Sequence, residues 1–394
     1  MLFQTLDDKK ECVGIYHSGD LFFGEELPQG LSQTWSYSAF LDNHDIEYAK
    51  LYCGGKSISE VCPEALRDRW ERIENKLKAF VKSFITARVS TNENCFYDLV
   101  PKKILLEYCL VKDAICQHVF KTYDRPPNYD YLLNLAKVIE SIKYNRLNIQ
   151  KKNLSLYKVK HRKFVKKLNT MEPYCKFNIY GTKTGRLTTV SKSFPILTMD
   201  KELRCAIEPK NDYFIELDFN AAELRTLLSL QGKPQPEEDI HDWNIKNIFN
   251  GQVTRDEAKK KIFAWLYNPE SHDDFCNRVY DRDSVVQEYF TNGQVTTFFN
   301  KKIPSETRTA LNYIIQSTCA ENVLRQMIKV SNYLKGCKSY VAFPIHDSIV
   351  LDFAIEDKER LKEIIEIFQT TDLGKFRVNT SIGQNFGQLK QLEV

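Results

Sequence analysis

Several features that assign a protein to a class are missing from this sequence. Its 11 cysteines include no Cys-x-x-Cys pair. This argues against a structural zinc site and a disulfide framework, and it fits a reducing compartment. No stretch is apolar for long enough to span a bilayer, and the N-terminus does not resemble a secretory signal peptide. We therefore expect a soluble, cytoplasmic protein without a membrane partner.

A strong excess of one charge is also missing. The net charge is +4, with 56 basic residues among 394. This mild excess permits nucleic-acid binding but does not predict it, because binding would need a local basic groove. Hydrophobic residues make up 42% of the chain and aromatic residues 12%, enough for sizeable cores. The length predicts two to three domains of globular protein.

The most informative stretch comprises residues 213–225, Tyr-Phe-Ile-Glu-Leu-Asp-Phe-Asn-Ala-Ala-Glu-Leu-Arg. Its first half is apolar and aromatic, which predicts a buried strand that ends near Asp218. Asn220 and Glu223 have the spacing of a capping box at the start of a helix, and Gly232 suits its C-terminal end. A carboxylate is therefore expected at the edge of a sheet, where it could bind a metal.

A second carboxylate is predicted in a similar position. Residues 339–353 contain two apolar runs on either side of His346 and Asp347, which predicts a hairpin with an acid at its tip. Two carboxylates at the ends of strands in one sheet could share a pair of divalent ions. Ligation by oxygen atoms, with positions left open for phosphate, suits Mg²⁺.

A helix between these two stretches carries two cations and then two aromatic residues on one face. Thr254 and Glu257 form a capping box, and Asn268-Pro269 predicts the end of the helix. Side chains four residues apart share a broad helical face, and those on this face are Arg255, Lys259, Phe263 and Tyr267. Cations suit a triphosphate, whereas aromatic rings suit a sugar and a base.

Six motifs, in order along the chain, resemble the polymerase module of DNA polymerase I type (family A) enzymes. Motif A is resembled by residues 218–225, motif B by the helical face at 255–267, and motif C by His346-Asp347. The other three motifs are Thr184-Gly185-Arg186, Asp239-Ile240-His241 and the series Arg308, Asn312, Gln316. The resemblance is strong over residues 175–394 and weak over 101–175. One departure is Ser348, where glutamate is common in motif C.

This resemblance implies a right-hand polymerase fold of the α/β (α+β) class, with palm, fingers and thumb. The palm would occupy residues 176–394 with fingers inserted at about 235–305, and residues 101–175 would form a helical thumb. Residues 1–100 form a small α/β region. We interpret it as a degenerate exonuclease-like domain. Asp45 and Glu47 have the spacing of exonuclease acids but lie in a polar loop context. Residues 94–98, which end at Asp98, resemble the second exonuclease motif, but Tyr108 has no acid four residues further on. The shortness of the chain points to a viral or phage enzyme in the host cytoplasm.

The implied activity is template-directed DNA synthesis, in which dNMP is added to a primer 3'-hydroxyl, pyrophosphate is released and no proofreading occurs. Asp218, Asp347 and the backbone carbonyl of Phe219 would hold two Mg²⁺ ions, for which Mn²⁺ could substitute. Lys259 would be catalytic as a proton donor to pyrophosphate. The implied substrate-binding residues are Arg255, His241, Phe263, Tyr267 and Glu223. The implied DNA-binding residues are Arg186, Arg308, Asn312, Gln316 and His346.

Three alternative functions share part of this pattern. A single-subunit RNA polymerase shares the two aspartates and the lysine helix. That family lacks a glutamate at the position that corresponds to Glu223 here, and it has tyrosine at the position that corresponds to Phe263. A reverse transcriptase would carry Tyr-x-Asp-Asp, which is absent from the sequence. A non-catalytic nucleic-acid-binding relative is disfavoured by the retained acids. The expected partners are primer-template DNA, dNTPs and a separate exonuclease or processivity factor.

Overall fold

The computed structural model describes residues 1–24, 27–168 and 171–393. The chain forms two compact units, Met1–Tyr144 and Asn145–Val394. Within the described ranges, none of the helices combines the length and the apolar character that a membrane span needs.

Within residues 1–24 and 27–144, the first unit contains short strands and six α-helices. Its strands are β1 (Gln4–Thr5), β2 (Gly14–His17), β3 (Asp20–Phe23), β4 (Gln33–Thr34) and β5 (Glu47–Tyr48). Its helices are α1 (Ala49–Tyr52), α2 (Ile58–Val61), α3 (Glu64–Thr86), α4 (Phe96–Leu99), α5 (Lys102–Thr122) and α6 (Tyr129–Lys143). A 3₁₀ helix spans Ala39–Leu41.

The core of the first unit forms where α3 packs along α5. Trp70 and Ile73 of α3 contact a row of α5 side chains that includes Val111, Ile115 and Val119. These α5 residues recur every four positions, so they form one continuous apolar stripe on the helix. The stripe removes most of their surface from water and ties the two longest helices of this unit together.

One cysteine pair departs from the expectation drawn from cysteine spacing. Cys12 and Cys95 form a disulfide, with their Cα atoms 5.6 Å apart. The two residues lie 83 positions apart in sequence, so no local motif indicates the pair. The other nine cysteines are free, and seven of them are buried.

The second unit contains fourteen strands and eight α-helices within the described residues. The strands are β6 (Asn148–Ile149), β7 (Phe177–Asn178), β8 (Thr188–Thr189), β9 (Ile207–Glu208), β10 (Tyr213–Phe219), β11 (Phe290–Thr291), β12 (Gln294–Thr296), β13 (Lys302–Pro304), β14 (Tyr340–Ile345), β15 (Ser348–Phe353), β16 (Thr370–Thr371), β17 (Gly374–Lys375), β18 (Val378–Gly383) and β19 (Lys390–Gln391).

Eight α-helices of this unit lie within the described residues. They are α7 (Arg162–Lys167), α8 (Ala222–Leu230), α9 (Ile240–Asn247), α10 (Arg255–Tyr267), α11 (Asp274–Tyr280), α12 (Arg282–Tyr289), α13 (Thr307–Tyr333) and α14 (Leu361–Gln369). Shorter 3₁₀ segments are Lys151–Tyr157, Ile196–Thr198, Lys201–Ala206 and Ile355–Arg360.

The largest sheet is antiparallel and has the strand order β14-β15-β10-β18-β19. Strand β10 is therefore flanked on both sides, and Phe214, Leu217 and Phe219 are buried. Helices α13 and α14 pack against the sheet, and Phe219 stacks on Phe368 of α14 with ring centroids 4.5 Å apart. This packing fixes the strand that carries Asp218. The predicted strand at 213–219 and the predicted hairpin are both confirmed.

The division of the chain into compact units differs from the predicted boundaries at residues 100 and 175. Helix α5 shares its core with α3, and it lies with α6 in the unit that ends at Tyr144. The assignments of 101–175 to a thumb, of 235–305 to fingers and of 1–100 to a degenerate exonuclease stay predictions. Residues 169–170 and 394 fall within the predicted domains but outside the described residues.

Candidate active site

Asp218 lies next to the end of the central strand of the sheet. It stands opposite Ser348 of β15 on one side and Asn379 of β18 on the other. The pleat of β10 alternates, so Glu216 and Asp218 share one face and are only half-buried, while their neighbours enter the core. Asp218 thus lies half-buried near the end of the central strand.

Asp347 lies at the tip of the β14–β15 hairpin, next to Ser348. The residue before it, His346, has a left-handed backbone with φ of 50°. Ala221, which follows the strand of Asp218, also has a left-handed φ of 49°. A residue with a Cβ atom pays of order 1–3 kcal/mol for such a conformation. Backbone strain is therefore stored in the turns that adjoin both candidate metal ligands.

The electrostatics of the pair fit a bound cation. Burial, followed by the negative charges of Glu216 and Asp347, raises the pKa of Asp218 to about 7. The hydrogen bond with Asn379 and the positive charge of Lys259 act in the opposite direction. A divalent ion between Asp218 and Asp347 would offset this repulsion and keep Asp218 ionised. The donor set, two carboxylates and nearby backbone oxygens, is one that Mg²⁺ accepts.

Three neighbours of the aspartate pair were missed from the sequence. Asn379 bonds to Asp218 from the adjacent strand, and Glu216 lies two residues before it. The thiol of Cys319, buried in α13, is 3.9 Å from Oδ1 of Asp347. Only Glu216 could have been found from sequence, because residues i and i+2 of a strand share a face. Asn379 lies near Asp218 because β18 pairs with β10. Cys319 lies near Asp347 because of the way that α13 packs.

Helix α10 has the capping box that the sequence predicts. The Thr254 hydroxyl accepts from the backbone of Glu257, whose carboxylate accepts from the Thr254 backbone N–H at 2.9 Å. The core-facing residues of the helix are Ala258, Ile262, Trp265 and Leu266. The predicted functional face is thus separate from the buried face, and Lys259 is exposed on it. Lys259 is close enough to act on Asp218 electrostatically.

Glu223 does not form the predicted capping box with Asn220. Helix α8 begins at Ala222, and the preceding Ala221 provides no side-chain cap. The Glu223 carboxylate instead accepts from Arg186 at 2.9 Å and from the Tyr267 hydroxyl at 2.5 Å. Its side chain is only 13% exposed. The capping-box prediction is wrong because these distant donors occupy both carboxylate oxygens. The predicted C-terminal end at Gly232, whose φ is 65°, is confirmed.

Asn220 and Asp239 connect the aspartate strand to the lysine helix. The Asn220 amide donates to Oδ2 of Asp239 at 2.7 Å, and Arg255 donates to the same oxygen at 2.8 Å. Burial would raise the pKa of Asp239, but the hydrogen bonds from Arg255 and Asn220 hold it well below its usual range. Arg255, predicted to bind phosphate, is therefore held at the start of α10 by an ion pair.

Arg225 is a fully buried cation that supports this connection. Its guanidinium donates to the backbone carbonyls of Asn220 and Pro236, each at 2.8 Å, and of Glu238 at 2.9 Å. These acceptors replace the water that the charge loses on burial. Arg225 thereby holds the turn after Asp218 against the segment that leads to Asp239.

His241 and Phe263 contact each other between α9 and α10, with ring centroids 6.3 Å apart. Phe263 also stacks on Tyr267, with centroids 6.1 Å apart. Burial lowers the pKa of His241, and its Nδ1 has no hydrogen-bond partner within the described parts of the chain. This aromatic row lies on the same face as Lys259, which is the arrangement predicted for a sugar and a base.

The predicted DNA-binding residues lie around α13. Arg308 and Asn312 line a cleft of about 460 Å³ together with Tyr267, and Oδ1 of Asn312 is buried without a partner in the described structure. Gln316 is half-buried one turn further along α13. Arg186 and the exposed His346 line a second, smaller cavity beside α13.

Comparisons with known proteins find similarity to DNA polymerases. No family model matches the chain. It is 25% identical to DNA polymerase I of Caldicellulosiruptor bescii over 239 residues, which cover 47% of this chain and 28% of that protein. For DNA polymerase I of Borreliella burgdorferi the identity is 24% over 264 residues, covering 53% and 29%. For the DNA polymerase of Mycobacterium phage L5 it is 26% over 207 residues, covering 45% and 34%.

The chain is similar to bacterial DNA polymerase I over about half of its length. The resemblance inferred from the six motifs is thereby confirmed, and the phage relative is consistent with a phage-type enzyme. The chain spans only about a third of the length of the curated relatives that it matches.

A solved structure shares the fold of this chain. The polymerase domain of Pol1 from M. smegmatis, in complex with a DNA primer-template and dNTP, superposes with a TM-score of 0.56 at 13% identity. The match covers 72% of this chain and 75% of that one. The predicted fold class, a polymerase fold of mixed helices and strands, is confirmed. The individual site residues stay predictions.

Proposed function

We propose that this chain is a template-directed DNA polymerase that adds dNMP to a primer 3'-hydroxyl and releases pyrophosphate. The observation that carries the proposal is the meeting of three groups in one place. Asp218 and Asp347 converge at the edge of the antiparallel sheet, and Lys259 of α10 acts on Asp218. The DNA polymerase I relatives and the structural neighbour with its primer-template and dNTP support this reading.

The residues at the sheet edge would bind divalent metal. Asp218, Asp347 and the backbone carbonyl of Phe219 would hold two Mg²⁺ ions, or Mn²⁺ in their place, which would lower the pKa of the primer hydroxyl and neutralise the triphosphate. Lys259 would contact the phosphates and donate a proton to the departing pyrophosphate. Arg255 would contact phosphate after exchanging its ion pair with Asp239 for the ligand, while His241 would line the same site.

The remaining residues would select the substrate. Glu223, held by Tyr267 and Arg186, would fill the space that a 2'-hydroxyl needs, and Phe263 would lie against the sugar. Arg308, Asn312, Gln316 and His346 would face the DNA, where minor-groove acceptors are shared by all correct base pairs. The buried, unpaired Oδ1 of Asn312 supports this placement, because a buried acceptor without a donor costs free energy until it is satisfied.

A primer-extension assay separates this proposal from its alternatives. The full chain is incubated with a labelled primer-template and Mg²⁺, and with either four dNTPs or four rNTPs. We expect extension with dNTPs and little with rNTPs. Extension with rNTPs alone would indicate an RNA polymerase. No extension with either, despite binding of the primer-template, would indicate a non-catalytic relative.

Phe263→Tyr should make the enzyme accept dideoxynucleotides. With phenylalanine, no side-chain hydroxyl reaches the 3' edge of the sugar, so a dideoxynucleotide leaves a polar partner unsatisfied at a cost of about 1–3 kcal/mol. A tyrosine hydroxyl would replace the missing oxygen. We expect discrimination to fall at least about tenfold, equivalent to about 1.4 kcal/mol. Competing dNTP and ddNTP in a chain-termination assay measures the ratio.

The control for this substitution follows from the packing of α10. Phe263 is half-buried and lies outside the core-facing row of the helix. If Phe263 were only a packing residue, the added hydroxyl would slow both substrates equally and leave the termination ratio unchanged. That outcome would show that the predicted face of α10 does not contact the nucleotide.

We also expect that this chain does not proofread. The sequence motivates this expectation, because the set of exonuclease acids is missing from residues 1–100. Glu47 instead accepts hydrogen bonds from Tyr52 at 2.7 Å and from Gln33 at 3.2 Å. Incubation with a 3'-mismatched primer and Mg²⁺ but no dNTP should leave the primer intact. Steady removal of the terminal nucleotide that survives substitution of Asp45, Glu47 and Asp98 would contradict this prediction.

A further inference from the structure

A third acid lies beside the aspartate pair, in contact with a residue of the hairpin. The hydroxyl of Ser348 donates to Oε1 of Glu216 at 2.9 Å and also lies 3.0 Å from the carbonyl of Ile345. Ser348 is buried and Glu216 is half-buried. The hydrogen bond crosses from β15 to β10, the two strands that carry Asp347 and Asp218.

The sheet register places this contact within the candidate metal site. Glu216 and Asp218 are two residues apart on β10, so their side chains project from the same face of the sheet. Ser348 stands directly opposite Asp218 and follows Asp347 in sequence. One hydrogen bond therefore links Glu216 to Ser348, which neighbours both aspartates.

The hydrogen bond between Glu216 and Ser348 involves the position at which this sequence departs from motif C. Motif C commonly has glutamate at the position of Ser348, and here that position holds a hydroxyl. A carboxylate nevertheless reaches the same part of the sheet, because Glu216 of the neighbouring strand supplies it and bonds to Ser348. The acid and the hydroxyl thus occupy adjacent strands.

We propose that Glu216 is a positioning residue for the metal site and replaces the acid that is absent from position 348. It acts through Ser348 and through its negative charge. We assign it this indirect role because Oε1 of Glu216 accepts the hydrogen bond from Ser348. The inference rests on the proposed function, since it assumes that Asp218 and Asp347 bind divalent metal.

Metal binding by the free enzyme tests this role without any measurement of catalysis. Mn²⁺ is titrated into the full chain in the absence of DNA and nucleotide, and unbound Mn²⁺ is followed by electron paramagnetic resonance. We expect Glu216→Gln and Glu216→Ser each to raise the Kd for Mn²⁺ about tenfold, because the site loses a negative charge. The matched control is Ser381→Ala, since Ser381 faces Glu216 from β18; its Kd should stay within twofold of wild type.

A double variant that exchanges Glu216 and Ser348 distinguishes the loss of the acid from misfolding of the protein. The double variant Glu216→Ser with Ser348→Glu moves the acid to the other strand. We expect its Kd to return to within about threefold of wild type, whereas Glu216→Ser alone stays weak. Thermal melts in EDTA verify that each variant is folded. Glu216→Gln binding Mn²⁺ within twofold of wild type, or a double variant no better than Glu216→Ser, would overturn the proposal.

The outcomes distinguish this inference from the proposed function. If wild type binds Mn²⁺ and the swap restores binding but no primer is extended, the positioning role holds and the polymerase proposal fails. If wild type extends primers but Glu216→Gln binds Mn²⁺ normally, only the positioning role fails.

Discussion

Asp218→Asn and Asp347→Asn should each lower the rate of nucleotide addition by far more than tenfold. Each substitution removes one charge from the pair at the sheet edge and keeps the volume of the side chain. A tenfold loss corresponds to only about 1.4 kcal/mol, which is small for the loss of a metal ligand. The measurement is single-turnover addition of one dNMP to a labelled primer. A variant that retained more than about a tenth of the wild-type rate would contradict the two-metal assignment.

Two controls show that such losses are not caused by unfolding. Primer-template affinity, measured by fluorescence anisotropy, should change little in either variant. In EDTA at pH 8, Asp218→Asn should be at least as stable as wild type. The pKa of Asp218 is raised to about 7 by burial and by Glu216 and Asp347. A carboxyl with a raised pKa in the fold destabilises it at pH values above its ordinary pKa, so its removal should not lower the melting temperature.

Glu223→Ala should increase ribonucleotide incorporation at least about tenfold. The Glu223 carboxylate is held by Tyr267 at 2.5 Å and by Arg186 at 2.9 Å, so it cannot readily move away from a 2'-hydroxyl. Shortening the side chain removes a clash that only the wrong substrate experiences. The measurement is the ratio of kcat/KM for dCTP to that for CTP, which should fall while the dCTP value changes less.

Two further variants identify which property of Glu223 matters. Glu223→Gln keeps the volume and should preserve most of the discrimination. Tyr267→Phe removes the hydroxyl that holds Glu223 and should produce a partial loss. An unchanged dCTP/CTP ratio in Glu223→Ala would leave Glu223 with a structural role, as the partner of Arg186 and Tyr267.

The local elements around the site could be predicted because their signals lie within a few residues. The capping box of Thr254 and Glu257 and the hairpin at 340–353 were found where expected. The same logic failed at Asn220 and Glu223. There the side chains bond to residues far away in sequence, Asp239, Arg186 and Tyr267. At this helix start, the side chains that would form the capping box are used in these long-range hydrogen bonds instead.

The other groups around the aspartates depend on the order of strands in the sheet. Residue spacing in a single sequence does not reveal that order. Asn379 meets Asp218 only because β18 pairs with β10. Glu216 meets Ser348 only because β15 lies on the other side of the same strand. The Cys12–Cys95 disulfide depends in the same way on the fold of the first unit. The aspartates were identified from their motifs, whereas the groups that surround them needed the sheet.

The most direct test of the central claim is templated addition of a single nucleotide with simultaneous measurement of pyrophosphate. Four primer-templates that differ only in the first template base are each incubated with the full chain, Mg²⁺ and one dNTP at a time. The account predicts rapid addition only for the complementary dNTP on each template, with one pyrophosphate released per nucleotide added. Addition that ignores the template base, or no addition by an enzyme that binds both primer-template and Mn²⁺, would contradict it.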